Sequence, residues 1–288
     1  MANTIPFRRV AIIGTGLIGG SFALAVRKKS PGATVVGFDR NDKAERALAR
    51  GALNEVAADL AIAVRDADLV YIALPIVLAM EALPIIAASA GPHALVTDAC
   101  STKVTVCRVA QEDFNSGARF LGGHPMAGKE HSGIEHADAD LFRGAPYALI
   151  GRKDEADSRV QAFAELVAFI GAQPVWTDAD THDWAVGIVS HLPQLVSVAL
   201  ARVVQDETDE TGLPLTLAGQ GLHDTLRLAG SPYAVWRDIL LTNTENVSRA
   251  LDRLEQAIDY LRTQLTSKEI EHEFDLANEL YKLLRKSQ

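Results

Sequence analysis

The chain opens on two kinds of apolar pattern that take turns. Val10-Ala11-Ile12-Ile13 is an unbroken apolar run, as a strand covered on both faces requires, and "SFALAVRKKS" from Ser21 follows helical spacing until Pro31-Gly32 stops it. "ATVVGFD" is a second β-rich run ending at Asp39. "NDKAERALARGA" then reads as helix, "DADLVYIAL" as a strand opening on Pro75, "VLAMEALPIIAASA" as helix and "HALVTDAC" as a strand ending near Ser101-Thr102-Lys103. "ARFLGGHP" supplies the next strand, "APYALIGR" the last, and "EADSRVQAFAELVAFIG" a helix. Such alternation predicts an α/β fold with a doubly wound, mostly parallel sheet, whose ligands bind beyond the carboxyl ends of the strands. Pro75, Ser101 and His124 each follow directly on an expected strand end.

The pattern changes after "AQPVWTDADTHD". "WAVGIVSHLPQLVSVALARVVQD" reads as one long apolar helix, interrupted at Ser190–Gln194 by a histidine and by Pro193, which has no backbone N–H to donate. "SPYAVWRDILLTNTENVSRALDRLEQAIDYLRTQL" and "SKEIEHEFDLANELYKLLRKS" are amphipathic helices, and no further strand is expected. A boundary near Asp178 therefore divides an α/β domain, 1–178, from an all-helical domain, 179–288. The first helix of the second domain carries few charges over about five turns, more apolar surface than an edge helix needs, so a homodimer through the helical domain is expected.

Composition narrows the partners. A chain of 288 residues with 48% hydrophobic content is long enough for two buried cores. The longest apolar stretch is broken by Pro75, Glu81 and Pro84, so no membrane span is expected. The start, "MANTIPFRRV", lacks the features of a secretory signal, which points to the cytoplasm. Cys100 and Cys107 have neither redox-pair nor zinc-ribbon spacing and read as ordinary buried thiols. A net charge of −9 with 6% aromatics excludes a nucleic-acid surface and favours a small-molecule partner.

Between the first strand and the first helix lies Gly14-Thr15-Gly16-Leu17-Ile18-Gly19. In a dinucleotide-binding βαβ unit of the Rossmann type, Gly14 and Gly16 permit the tight turn and the approach of a pyrophosphate. Leu17 and Ile18 open the helix over it, and Gly19 lets helix and strand pack closely. Asp39, twenty residues after Gly19, suits the adenosine ribose hydroxyls. Arg40 could greet a 2′-phosphate, yet Asp39 would repel one, so NAD is expected over NADP.

"GGHPMAGKEHSG", Gly122 to Gly133, has too little periodicity for helix or strand and could be a metal site, an active-site loop or an awkward turn. His124, His131 and His136 lack the i, i+4 helical face of a zinc site. Further along, His191 sits in an apolar helix, and His223, Asp224, Arg227 and Trp236 cluster about one helix junction. Singly, each reads as a satisfied core residue or a surface ion pair.

Together these segments resemble the prephenate and arogenate dehydrogenases of tyrosine biosynthesis, over nearly the whole chain. "IIGTGLIGGS" is similar to the family's cofactor loop, "TDACSTK" to its serine-bearing strand end, "GGHPMAGKEHSG" to its histidine loop, and "SHLPQ" and "DTLRLAGSPYAVWRDI" to its helical-domain motifs. Cys100 replaces a common glycine, Gln194 a common histidine, and His223 a basic residue of another kind. The resemblance implies oxidation of prephenate, or alternatively arogenate, by NAD without a metal. It also implies that His124 accepts the substrate's hydroxyl proton, with Ser101 orienting substrate and nicotinamide and Pro75 beside the cofactor. Arg227 would bind a carboxylate and His191 the side chain; Trp236, His223 and Asp224 would line the same pocket, and Lys129 and Glu130 would line or gate the cleft. No fused mutase or regulatory domain is expected. A β-hydroxyacid dehydrogenase would need a catalytic lysine in the helical domain, and no lysine lies between Lys153 and Lys268. A non-catalytic NAD sensor would have little need for Ser101, His124, His191 and Arg227 together.

Overall fold

The apolar run at Val10 forms β1 (Arg9–Ile13), paired in parallel with β2 (Thr34–Phe38) on one side and β4 (Leu69–Ile72) on the other. The computed structural model describes residues 6–115, 117–129 and 131–286. With β3 (Glu55–Val56), β5 (Leu95–Asp98) and β6 (Arg119–Leu121) the sheet has the order β3-β2-β1-β4-β5-β6, all parallel. The order reverses between β1 and β4, which opens a crevice at the strands' carboxyl ends. Helices α1 (Leu17–Lys29), α2 (Lys43–Ala49), α3 (Leu60–Val64), α4 (Ile76–Ser89) and α5 (Val104–Asp113) make the crossovers.

"ARFLGGHP" is not one strand. It breaks at Gly122 into β6 and β7 (Gly123–Pro125), and β7 joins a second sheet in which it runs antiparallel to β8 (Pro146–Ile150). His124 therefore lies inside a strand rather than after one. The break is steric: a Cβ on Gly122 would stand 2.7 Å from Cys107 Sγ, and one on Gly123 would stand 2.7 Å from the Asp98 carbonyl. Only glycines let the chain pass this close to β5 while changing sheets. The second sheet ends in β9 (Gln173–Thr177), parallel to β8 and reached through α6 (Ser158–Phe169). This strand falls where the sequence predicts none. Between the sheets, Phe22 of α1 stacks on Tyr71 with ring centroids 3.8 Å apart, and Tyr147 of β8 donates its hydroxyl to Tyr71 at 3.3 Å.

The long apolar helix is α7 (Ala179–Val186), a π-helical turn (Gly187–His191) and α8 (Leu192–Asp206) in continuous succession. By length and composition this run could cross a membrane, contrary to the sequence reading. Its polar residues His182, Asp183, His191, Gln194 and Ser197 are buried, so it is packed as an element of a folded domain. Short helices α9 (Leu213–Thr216) and α10 (Gln220–Leu226) lead to α11 (Tyr233–Thr242), α12 (Thr244–Gln264) and α13 (Glu269–Lys286). Leu265 just past α12, Phe274 and Tyr281 on α13, and Trp184 on α7 stand exposed.

Two carboxylates of the helical part cap helices of the parallel-sheet part. Asp183 accepts from the backbone N–H groups of Lys103 and Val104 at 2.7 and 2.9 Å, at the start of α5. Asp238 accepts from Val77 N–H at 3.2 Å, at the start of α4. Each places a negative charge where unpaired N–H groups and the helix dipole favour one.

Candidate active site

The glycine loop turns as the βαβ reading requires. Gly14 has φ +92°, and a Cβ there would lie 2.5 Å from the Ala73 carbonyl, while one on Gly19 would lie 1.9 Å from the Gly14 carbonyl. A Cβ on Gly16 would meet nothing within 4 Å. Gly16 thus faces open space at the start of α1, whose first turn has neither a side-chain cap nor an acid. Asp39 holds the loop by accepting from Thr15 N–H at 2.7 Å, and its other oxygen accepts from Arg40 N–H at 2.7 Å. Beyond it lies a cleft of about 680 Å³ lined by Phe38, Asp39, Arg40, Val56 and Ala57 among others. Uncapped helix N–H groups, a close backbone approach and a carboxylate beside a cleft of mixed polar and apolar lining together fit a dinucleotide. Pro75 sits at the N-cap of α4, across the crevice.

At the end of β5 a buried ion pair ties the site together. Lys103 Nζ pairs with Asp98 Oδ2, both side chains wholly buried, and also donates to the Gly123 carbonyl at 2.6 Å. Asp98 accepts further from Cys100 N–H at 2.9 Å and from Gly123 N–H at 3.1 Å. One carboxylate thereby fixes the residue before Ser101 and the residue before His124. Burial works against the Lys103 charge, but Asp98 and the two nearby thiols outweigh it, and the ammonium titrates above its usual value. Burial pushes the Cys100 and Cys107 thiols up, Cys107 to about 12, so neither is a reactive thiolate; Cys107 is only partly buried.

From His124 a chain of hydrogen bonds runs into α7. His124 Nδ1 lies 2.9 Å from His182 Nε2, and His182 Nδ1 lies 2.8 Å from Asp183 Oδ1. Both Asp183 oxygens already accept backbone N–H groups, so His182 Nδ1 meets an acceptor and carries the proton. With His182 neutral its Nε2 is then an acceptor, which His124 must meet with Nδ1–H. The lone pair of His124 is left on Nε2. Burial lowers the His124 pKa well below 6.5, with His182, Lys103 and His191 adding to the effect.

His191 shows the opposite tautomer. Asn243 Nδ2 donates to the Asp183 carbonyl at 2.8 Å and lies 3.1 Å from His191 Nδ1, while Asn243 Oδ1 accepts from Asn246 at 2.8 Å. The amide end facing His191 is therefore the NH2, and His191 keeps its proton on Nε2. The ring stands edge-on to Trp236, centroids 5.9 Å apart. Trp236 Nε1 is buried without a hydrogen-bond partner among the described residues, a donor with its acceptor still to come. Burial pulls His191 down to about 4, partly offset by Asp183.

Sequence reasoning missed Asp98, Lys103, His182, Asp183 and Asn243. The signal for His182 and Asp183 is a His-Asp step in the linker just before an expected helix. Ser101 is half-buried next to the Asp98 knot. Arg227, exposed at the end of α10, lies on a segment that Ser197 of α8 pins by donating to the Thr225 carbonyl at 2.7 Å and accepting from Ala229 N–H at 3.0 Å. His223 and Asp224 are exposed on the same helix, Asp224 accepting from Gln220 at 2.8 Å. Lys129 is engaged on the loop itself, donating to the His136 carbonyl at 3.0 Å and to Asp138 at 3.3 Å. Glu130 lies outside the described residues. Among the described residues no cluster of three His, Cys, Asp or Glu side chains could hold a metal ion.

Comparison with known proteins agrees with this geometry. Residues 22–176 match the family model described as prephenate dehydrogenase, nucleotide-binding domain, and residues 178–285 match prephenate dehydrogenase, dimerization domain. A prephenate dehydrogenase of Bacillus subtilis is 33% identical over 267 residues, 92% of this chain and 72% of the relative. The crystal structure of prephenate dehydrogenase from A. aeolicus with hydroxyphenyl propionate and NAD+ superposes with TM-score 0.85 at 28% identity, covering 97% of each chain. Synechocystis arogenate dehydrogenase superposes with TM-score 0.80 at 27% identity, over 97% of this chain and 100% of that one.

Proposed function

The chain belongs to the prephenate dehydrogenase family and is an NAD-dependent oxidoreductase; from that premise we propose that His124 takes the C4 hydroxyl proton of prephenate while the helical domain holds the substrate's carboxylates. Prephenate has a hydroxyl at C4, a carboxylate on the ring and a pyruvyl side chain. NAD, when bound, is the acceptor of the hydrogen that leaves C4 as hydride. The observation that carries the reading is the histidine chain, which presents His124 Nε2 as a hydrogen-bond acceptor. Departure of the hydroxyl proton to Nε2, together with loss of that hydride from C4, turns C4 into a ketone, and loss of CO2 then makes the ring aromatic, giving 4-hydroxyphenylpyruvate. Aromatisation drives that last step, so no acid is assigned to it.

The other residues bind and orient. Gly14, Gly16 and Gly19, with the first N–H groups of α1 at Leu17 and Ile18, hold the pyrophosphate. Asp39 and Arg40 meet the adenosine ribose, and Pro75 and Ser101 border the nicotinamide. Arg227 offers a planar fork to one carboxylate, and His191 Nε2–H and Trp236 Nε1–H are donors for the side chain. His223 and Asp224 are assigned to the substrate pocket, and Lys129 lines or gates the cleft. In this reading 1–178 is the cofactor-binding domain, with His124, Ser101 and Lys129 turned to the substrate, and 179–288 supplies the remaining substrate-binding residues. Exposed apolar residues such as Trp184, Leu265 and Phe274, in a segment that matches a dimerization domain, support a homodimer through the helical domain. A soluble cytoplasmic enzyme is part of the proposal.

Reduction of NAD followed by absorbance, with prephenate and with arogenate and with NAD and NADP, tests the reaction. Prephenate with NAD is the expected best pair. His124→Asn should lower kcat by roughly 10²–10⁴-fold while melting temperature and NAD affinity stay near those of the parent. A folded variant with near-normal turnover would remove His124 from the reaction.

A further inference from the structure

The Asp183 carboxylate serves two unrelated needs at once. It caps α5 from another domain, and it accepts the Nδ1 proton of His182, whose Nε2 faces His124. A buried histidine with no role beyond packing needs neither a second imidazole on one nitrogen nor a carboxylate on the other. We propose that His182 and Asp183 form a proton relay behind His124, in which His182 is the positioning residue that fixes the His124 tautomer and then carries the substrate's proton.

This inference rests on the functional reading above. When the substrate O–H bond breaks, its proton forms the bond to His124 Nε2, and the ring is momentarily doubly protonated. The proton on His124 Nδ1 then passes across the 2.9 Å contact to His182 Nε2. No electron changes hands in this transfer. His124 ends neutral with its proton on Nε2, and His182 ends as an imidazolium against Asp183. The charged groups around the pair favour that endpoint. Lys103, Nζ buried, stands on the His124 side and disfavours a cation there, with His191 as a further neighbour. Asp183 is the carboxylate in direct contact, and it touches His182. Lys103 is offset by its own pairing with Asp98, so the direct contact with Asp183 is what draws the charge one ring outward. After product leaves, the proton returns to water by the reverse path through His124 Nε2.

The test compares His182→Gln and Asp183→Asn with the parent, reading kcat, KM for prephenate and NAD affinity from pH 5 to 9. Glutamine at 182 still offers an oxygen to His124 Nδ1–H but cannot accept a proton. Its kcat should fall by about 10- to 100-fold, part of the full general-base effect, with KM and NAD affinity within about threefold. Asn at 183 withdraws the charge that holds the proton, so the acid limb of kcat should move to lower pH by about one unit while the plateau falls. A purely structural role predicts loss of KM and NAD affinity together with kcat, and an unmoved limb. Either that pattern, or a folded His182→Gln enzyme with kcat within threefold of the parent, overturns the relay. Should Asp183→Asn fail to fold for want of the α5 cap, the His182→Gln result decides alone. The parent enzyme's own turnover tests the functional reading separately, since an active parent with an indifferent His182→Gln sinks only the relay.

Discussion

Replacing Lys103 by methionine removes a wholly buried charge at nearly constant volume. The side chain has two charge-assisted hydrogen bonds to lose, to Asp98 Oδ2 and to the Gly123 carbonyl. At about 1.5–3 kcal/mol for each bond to a charged group, the loss is roughly 3–6 kcal/mol. It also strands a buried carboxylate, the situation in which breaking an ion pair costs about 3–5 kcal/mol. Asp98 is not left bare, because the N–H groups of Cys100 and Gly123 still donate to it. That residual support places the expected cost near the lower end, about 3 kcal/mol, or a fall in melting temperature of roughly 6–12 °C for a domain of this size. Urea unfolding followed by circular dichroism gives the free energy. The double variant Asp98→Asn, Lys103→Met leaves no unpaired charge and should be more stable than the single one by at least about 1 kcal/mol. A single variant within about 1 kcal/mol of the parent, or a double variant no better than the single, would mean that the pair does not hold the site together.

Two further outcomes are expected. Arg227→Ala should raise KM for prephenate by an amount on the order of 2–5 kcal/mol with NAD affinity nearly constant; loss of NAD binding with substrate affinity intact would move Arg227 out of the substrate site. Between pH 6.5 and about 4 the unfolded chain protonates at residue 191 while the folded chain does not, because burial depresses the His191 pKa to about 4. Stability is therefore complete above pH 6.5 and falls as pH drops through that window, by about 2 kcal/mol at pH 5 from His191 alone, with His124 acting in the same direction. Urea midpoints that do not change from pH 7 to pH 5 would contradict the buried neutral histidine.

The parts of the fold read correctly from sequence are those fixed locally. β1, the glycine turn, α1 and β2 follow one another within thirty residues, and continuous apolar runs reveal strands covered on both faces. The failures are where a distant contact decides. β9 is a partly exposed strand of the second sheet with Pro174 inside it, so it shows neither alternation nor an apolar run. The break at Gly122 cannot be seen in "ARFLGGHP", because its cause is Cys107 on α5 and the Asp98 carbonyl at the end of β5. The site divides the same way. His124 stands out in a glycine-rich motif, whereas His182 and Asp183 sit in what reads as a linker, and their meaning comes from residues 58 and 80 positions away. Lys103 is hidden for a related reason: a lysine beside a strand end reads as solvent-facing until its carboxylate is known.

The π-helical turn at Gly187–His191 gives one stretch of a long helix a wider turn than its neighbours have. Counted at 3.6 residues per turn from His182, Asp183 and Val186, the inner face passes through Ser190, Gln194 and Ser197. Gln194 and Ser197 are buried as that count requires, but Ser190 is only half-buried and its neighbour His191 is buried in its place. The wider turn takes up the one residue of difference and brings the imidazole to Asn243. His191 is thus seated by the local pitch of the backbone, and the apolar pattern along the helix by itself would have turned a serine inward.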